Sequence, residues 1–208
     1  MNPVSYLQVR PCCEKYDDVD GLFADGSLLV FFIALFYGKK VTRYSFDMTS
    51  MAKLFFKYAS DHQKSVYLIG AEQQNIEVAS KILSEQYPTL KIAGYRNGFF
   101  ADEEERKSAV QKIVELQPDY VIVGMGAVVQ DLFLIDLKRA GFEGVGFSCG
   151  GFFHQIAKNR NLSFYPAWVN KLSLRFAYRM WCEPHTRKRY LKTALLFPFL
   201  FVKDQIKK

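Results

Sequence analysis

No stretch of this 208-residue sequence reaches the roughly 18–20 consecutive apolar residues that a membrane-spanning helix requires. Leu28–Tyr37 and Ala194–Val202 come nearest; both are too short, and the second contains Pro198. Cysteine is scarce: Cys12, Cys13, Cys149 and Cys182 form no CxxC pair and no metal-ligand spacing, which argues against a zinc site and a disulfide scaffold. With no signal peptide ahead of them, they read as reduced thiols of a cytosolic protein. His62, His154 and His185 are widely separated and outline no metal constellation. There is no internal repeat and no low-complexity segment. Carboxylates almost vanish from the last quarter, where residues 158–208 hold 12 Lys and Arg against Glu183 and Asp204, a net +10.

What is present suits one globular body with an appendage: 50% of residues are hydrophobic and 24% charged. Residues 1–157 hold 16 Lys and Arg against 19 Asp and Glu, a net −3, so the basic character belongs to the tail. Such a segment attracts nucleic acid, anionic lipid headgroups or a phosphorylated substrate. In Ala194–Val202 the apolar run ALLFPFLFV is bracketed by Arg187, Lys188, Arg189 and Lys192 before it and Lys203, Lys207 and Lys208 after it. That arrangement fits a membrane interface and, equally, a helix that closes the core or a subunit contact. A nucleic-acid role is disfavoured, because the cations lie with Phe197, Phe199 and Phe201 rather than along a strand-lined groove.

Along the chain, short apolar runs alternate with helical patterns. Val4–Val9 suggests a strand, Ser27–Tyr37 a helix ending at Gly38, and Met48–Ser60 another helix. The Ser27–Tyr37 helix is apolar nearly all round, which predicts a central position. Strands are expected at Val66–Ile69, Leu90–Tyr95, Tyr120–Val123 and Gly144–Phe147. Ile76, Ala79, Ile82 and Leu83 share one helical face, and the acidic Asp102–Glu105 opens the next helix. A further helix runs from Val129 to about Ala140. This alternation predicts an α/β fold with a mostly parallel sheet flanked by helices. Trp168–Trp181 and Thr186–Leu196 read as two basic, aromatic helices joined at Glu183-Pro184. A boundary near residue 160 then separates an α/β body, 1–157, from a basic helical appendage, 158–208.

The strands close on turn residues: Gly70 after the first, Asn97-Gly98 after the second, Gly124-Met125-Gly126 after the third, Cys149-Gly150-Gly151 after the fourth. Ligands of open α/β sheets bind at the carboxyl ends of strands, with anions at helix N-termini. Each turn alone is a weak signal, and the repetition makes a phosphate- or sugar-binding rim. Asp25-Gly26 is by itself a common turn, yet between a strand-like segment and a helix its carboxylate could act as a general base. Arg43 and Asp47 form either a loop over the ligand edge or a surface ion pair. Gln130 could bond a sugar or base, and Asp131 either joins it or complements the helix N-terminus. Arg179, Arg187 and Arg189 could clamp a diphosphate.

Six segments taken together resemble the WecG/TagA/CpsF glycosyltransferase family (glycosyltransferase family 26). They are ADG at 24–26, RYSFD at 43–47, VYLIGA at 66–71, YRNGFF at 95–100, VGMGAVVQD at 123–131 and YR-x-x-x-EP across 178–184. The resemblance covers nearly the whole chain. It implies a Rossmann-like, GT-E-type fold and an inverting, metal-independent transfer, without a cofactor, from a UDP-sugar to a polyprenyl-diphosphate-linked saccharide in surface polysaccharide synthesis. The enzyme would sit peripherally on the inner face of the cell membrane, with homo-oligomerisation left open. Asp25 falls on the family's base. Arg43, Asp47, Gly124, Gly126 and Gln130 fall on the donor side, where Gly70, Gly98, Asp131, Gly150 and Gly151 of the same rim would join them; Arg179 and Arg189 fall on the leaving diphosphate, with Arg187 adjacent to a further tail position. Of the family's Thr-x-Asn acceptor segment only Asn2 is matched, which implies a shortened N-terminal side. Val128 stands for a usual Pro, Val129 and Asp131 for Lys and Glu, His154 near a usual Asp, and Thr186 for a tail arginine. These departures imply a capsule or O-antigen branch with a sugar other than N-acetylmannosamine. The alternative is a non-catalytic sugar-nucleotide-binding subunit.

Overall fold

Val66–Ile69 and Tyr120–Val123 lie side by side as parallel strands in the computed structural model, which describes residues 1–162, 166, 169 and 174–206, and of His185 only the backbone. The chain forms two compact units, one of Met1–Ser45 with Tyr165–Lys208 and the other of Phe46–Phe164. The division at 157/158 followed chain order. The compact units do not, since the first 45 residues cluster with the C-terminal quarter.

The first unit opens with helix α1, Pro3–Val9, where the sequence suggested a strand over Val4–Val9. Local chemistry decides for helix. The Asn2 side chain accepts from the Ser5 N–H at 3.0 Å, and Pro3 occupies a first-turn position whose N–H would be unbonded anyway. A 3-10 stretch, Arg10–Tyr16, follows. Helix α2, Ser27–Tyr37, stops where expected, with Gly38 in the left-handed region at φ 62° and its N–H on the Ala34 carbonyl at 3.0 Å.

The second unit runs α3 (Met51–Asp61), β1 (Ser65–Gly70), α4 (Gln73–Gln86), β2 (Lys91–Arg96), α5 (Glu103–Leu116), β3 (Tyr120–Gly124), α6 (Val129–Arg139), β4 (Val145–Ser148) and α7 (Phe152–Asn159). Asp102 caps α5 by accepting from the Glu105 N–H at 2.8 Å, and Glu103, Glu104 and Glu105 fill its first turn, as the acidic run predicted. Helix α7 is an addition to the sequence reading, because its eight residues show too little periodicity to stand out. The sheet is entirely parallel, in the order β2-β1-β3-β4. From β1 the chain first winds outward to β2 and then returns past β1 to β3, so the winding reverses between β1 and β3.

Parallel strands are apolar on both faces because helices cover both. Val66 and Leu68 of β1 join Phe55 and Phe56 of α3, Ile76, Ala79 and Leu83 of α4, and Phe153 of α7. The alternate residues Tyr67 and Ile69 join Val121 and Val123 of β3, Ile113 of α5 and Phe133 of α6. At the opposite end of the strands from the glycines, Asp119 ties β1 to β3. Its carboxylate accepts from Lys64 Nζ at 2.8 Å, the Ser65 N–H at 2.8 Å and Ser65 Oγ at 2.6 Å.

The first unit is completed by α8 (Arg175–Cys182), a 3-10 turn at Pro184–Thr186 and α9 (Arg187–Ile206). The break at Glu183-Pro184 was legible. The second helix runs ten residues beyond Leu196, through Pro198, and Trp168 at the start of the first expected helix lies outside the described residues. Asp204 anchors α9 to the N-terminus, taking both nitrogens of the Arg10 fork at 2.6 and 2.7 Å and the Tyr6 hydroxyl at 2.7 Å. Beside it runs an aromatic seam: Tyr6 and Phe32 each meet Phe197 and Phe201 with ring centroids 5.3–5.5 Å apart, and Phe36 meets Phe201 at 5.7 Å. The expectation of a central α2 is overturned here. Leu29 alone of this helix is buried, while Leu28, Phe31, Leu35, Phe36 and Tyr37 are exposed. Among the described residues no helix is long and apolar enough to cross a membrane.

The hydrogen bonds from Lys64 and Ser65 hold the Asp119 carboxyl well below the usual carboxylate range. A depressed folded-state value contributes stability that is present above an unfolded value near ~3.9 and is lost as pH falls through the folded one. Asp119→Ala should therefore lower stability at pH 7 by about 1–2 kcal/mol, a figure kept small because the side chain is about one-third exposed. In urea melts at pH 7 and pH 3, the gap between wild type and variant should narrow at the lower pH.

Candidate active site

All four strands end together. Gly70 pairs with Gly124 across β1 and β3, Ile69 with Arg96, and Val123 with Ser148. The turns that follow pack backbone against backbone. A side chain on Gly70 would collide with the Gly124 carbonyl; one on Gly98 would sit 2.9 Å from the Gly70 Cα, and one on Gly124 2.9 Å from the Gly150 oxygen. Glycine is thus needed at Gly70, Gly98 and Gly124 so that neighbouring loops can touch. Backbone bonds join the same loops: the Ala71 N–H to Gly124 O at 3.1 Å, Gly98 N–H to Ala71 O at 2.9 Å, and Cys149 N–H to Val123 O at 2.8 Å.

Gly126 and Gly150 differ from these. Both have positive φ, 82° and 58°, and at both a side chain would meet open space, so their role is conformational and the rim above them is clear. The reversal of winding between β1 and β3 puts this rim at the position where open α/β sheets hold their ligands.

The turn after β3 is held by two side chains from the sequence reading. Buried Gln130 accepts the Gly150 N–H at 3.0 Å, linking the third turn to the fourth, and Asp131 reaches back to the Val128 N–H at 3.4 Å at the start of α6. Val128 itself has φ 70°, rarely adopted by a β-branched residue and closed to proline. Backbone strain of this kind gathers at ligand sites. Arg96, inside the YRNGFF segment, braces the turn after β2, a role that no sequence signal marks. Its guanidinium donates to the carbonyls of Asn97 and Phe99 at 2.9 and 3.1 Å, pairs with Glu105 at 2.7 Å and lies 4.3 Å from the Phe100 ring centroid. Asp47 turns the chain into α3, its Oδ1 accepting from the Thr49 N–H at 2.9 Å. Gly151 precedes the first residue of α7.

The first unit carries a second group of predicted residues. The Asp25 N–H bonds the Met1 carbonyl at 2.6 Å, and Gly26 packs against Pro3 and Asn2, which brings Asn2 beside the Asp25 loop. Arg43 Nη1 stands 3.3 Å from Asp25 Oδ1 and 3.5 Å from Ser45 Oγ. Arg175 reaches the same Ser45 hydroxyl at 3.1 Å. It is a member of this cluster that no sequence signal distinguished from the other tail cations. Asp25 and Arg43 are 36% and 28% exposed, so the pair is partly open to solvent.

In the tail, Arg179 pairs with buried Glu183 at 3.0 Å, and Arg187 donates to the Met180 carbonyl at 2.9 Å. Arg189 lies 6.0 Å from the Tyr190 ring centroid. Thr186 is fully buried with its hydroxyl on the Glu183 carbonyl at 2.7 Å, a position that could not hold an arginine head group without a charge partner. Among the described residues no three His, Cys, Asp or Glu side chains gather in a way that could hold a metal ion.

The profile of the glycosyl transferase WecG/TagA/CpsF family matches residues 4–208. Among curated proteins, the UDP-Gal:alpha-D-GlcNAc-diphosphoundecaprenol beta-1,4-galactosyltransferase of Shigella boydii is 30% identical over 208 residues, all of this chain and 86% of the relative. The N-acetylglucosaminyldiphosphoundecaprenol N-acetyl-beta-D-mannosaminyltransferase of Bacillus subtilis is 34% identical over 134 residues, 64% of this chain and 50% of the relative. The enzyme of the same name from Staphylococcus aureus is 29% identical over 119 residues, 57% of this chain and 44% of the relative. A profile match from one end of the chain to the other, over both compact units, places this protein in the WecG/TagA/CpsF family of glycosyltransferases.

Proposed function

We propose that the protein transfers a hexose or N-acetylhexosamine, with galactose the first to test, from a UDP-sugar to a saccharide carried on a polyprenyl diphosphate. The observation that carries this reading is the match to the Shigella boydii galactosyltransferase over the whole chain. The glycine rim supports it from the side of the donor, since glycine turns at the carboxyl ends of strands beside a switch point suit a diphosphate.

The relative's name specifies a β-linked product. From an α-linked sugar nucleotide that outcome requires inversion, hence a single displacement at the anomeric carbon. In this reading Asp25 takes the proton of the acceptor hydroxyl as its oxygen bonds to that carbon and the bond to UDP breaks. Arg43, paired with Asp25, orients the carboxylate. Negative charge develops on the departing diphosphate. Turn amides at Gly124–Gly126 and cations of the tail neutralise it, with no step assigned to a metal. Preorganised donors in a dry site contribute roughly 2.7–4 kcal/mol each.

The lipid acceptor calls for a membrane-facing surface, and α9 offers one. Leu191, Leu195, Phe199 and Ile206 are exposed and fall on one side of the helix, with Lys192 and Lys203 along one margin and Lys188 in line with them one turn before Leu191. The protein is read as peripheral to the inner face of the cell membrane.

Asp25→Asn should reduce kcat by about 10²–10⁴-fold while UDP affinity and the thermal midpoint hold, as assayed by UDP release on a lipid-diphosphate-GlcNAc acceptor. Full turnover in that variant would remove Asp25 from the role of base. Gly126→Ala puts a methyl into the clear space of the rim at a positive φ. It should destabilise by about 1–2 kcal/mol and weaken UDP binding more than tenfold by calorimetry. Unchanged UDP binding would take this turn out of the donor site.

A further inference from the structure

The fold concentrates charge differently from the chain order. Met1–Ser45 with Tyr165–Lys208 holds 15 Lys and Arg against 7 Asp and Glu, a net +8, whereas Phe46–Phe164 holds 13 against 14, a net −1. The basic unit is also the one with bare hydrocarbon. Helix α2 has no charged residue, and one of its sides is occupied: Leu29, Phe32 and Phe36 pack on Phe197 and Phe201 of α9. Among the described residues, the adjoining side is uncovered. Leu28, Phe31 and Leu35, spaced three and four apart, form one stripe, and Phe31 and Leu35 are 58% and 63% exposed. Leu22 and Phe23, just ahead of Asp25, are exposed as well.

A helix apolar around its circumference normally has non-aqueous surroundings on every side. We propose that the outward stripe of α2 is a second bilayer-docking element, separate from the apolar face of α9, and that it holds the adjoining Asp25 loop at the level of lipid headgroups. The choice of partner rests on the peripheral-membrane reading above, and charge favours it. From Gly26 to Phe46 the chain carries Lys39, Lys40 and Arg43 and no carboxylate. Helices α2 and α9 ascend together, with Phe32 on Phe197, Phe36 on Phe201 and the Tyr37 hydroxyl on Gln205. Exposed Lys39, Lys40 and Lys203 therefore stand at the same end of the pair, where they suit anionic headgroups. Protein interfaces, by contrast, are depleted in lysine. At 11 residues, α2 is about 17 Å long, too short to cross a bilayer and suited to lying along its surface.

The test uses the full chain and sedimentation with vesicles of phosphatidylglycerol and phosphatidylethanolamine. Phe31→Ser/Leu35→Ser should weaken vesicle binding at least tenfold, with thermal midpoint and UDP affinity unchanged. Lys39→Glu/Lys40→Glu, which leaves the apolar stripe intact, should weaken binding to these vesicles and leave the weak binding to phosphatidylcholine vesicles unchanged. Leu195→Ser/Phe199→Ser serves as the comparison on α9. If the wild type binds vesicles and both α2 variants bind equally well, the inference fails while the reading of α9 stands. If the wild type does not bind vesicles, the peripheral-membrane reading fails and this inference with it. If Phe31→Ser/Leu35→Ser instead converts an oligomer to a monomer with vesicle binding intact, a second copy covers the stripe and the inference is overturned.

Discussion

The α/β unit depends on how closely β1 and β3 approach where the winding of the sheet reverses. Gly70 meets the Gly124 carbonyl with no room for a side chain, and Gly98 and Gly124 extend the same contact to the loops on either side. The glycines let four consecutive turns share one rim. A side chain at any of these contacts would push neighbouring loops apart and distort the rim. At the other end of the same strands, the charge-assisted bonds of Asp119 hold the register from which the rim is built.

The other unit is organised by different forces. Its core is small, and aromatic edges and the Asp204 carboxylate, with its three hydrogen bonds, join segments that are nearly 200 residues apart in the chain. Such a core leaves much hydrocarbon uncovered, on α2 as well as on α9. The Asp25 loop belongs to this unit: its backbone is tied to Met1 and its carboxylate to Arg43. The residue read as the base is therefore carried by the basic, apolar-surfaced part of the molecule, in keeping with an acceptor on a lipid.

Most of the α/β unit was legible because its signals are local. The runs at 66–69, 90–95 and 120–123 became β1, β2 and β3 with ends shifted by a residue or two, and the acidic opening of α5 became a capped N-terminus. The failures also have local causes. Val4–Val9 is a short, mostly apolar run that read as a strand, yet Asn2 and Pro3 start a helix. Eight residues of α7 hold too few turns to display a period. Arg96 and Arg175 act through partners distant in sequence or hidden in loop carbonyls, which a single sequence does not reveal. The apolar character of α2 was plain, but apolarity states only what a helix avoids. It does not say whether protein or lipid takes the place of water.

Composition and spacing by themselves determined the alternating fold, the glycine turns at the strand ends, the break at Glu183-Pro184 and the family likeness, since each is set by a few neighbouring residues. Tertiary structure alone decided that the first 45 residues join the C-terminal quarter, that the basic charge gathers in that joined unit, and that α2 keeps one side bare. The reason is physical. Hydrophobic burial and ion pairing depend on distance in space, and the bond between Arg10 and Asp204 leaves no mark on the residues next to either one.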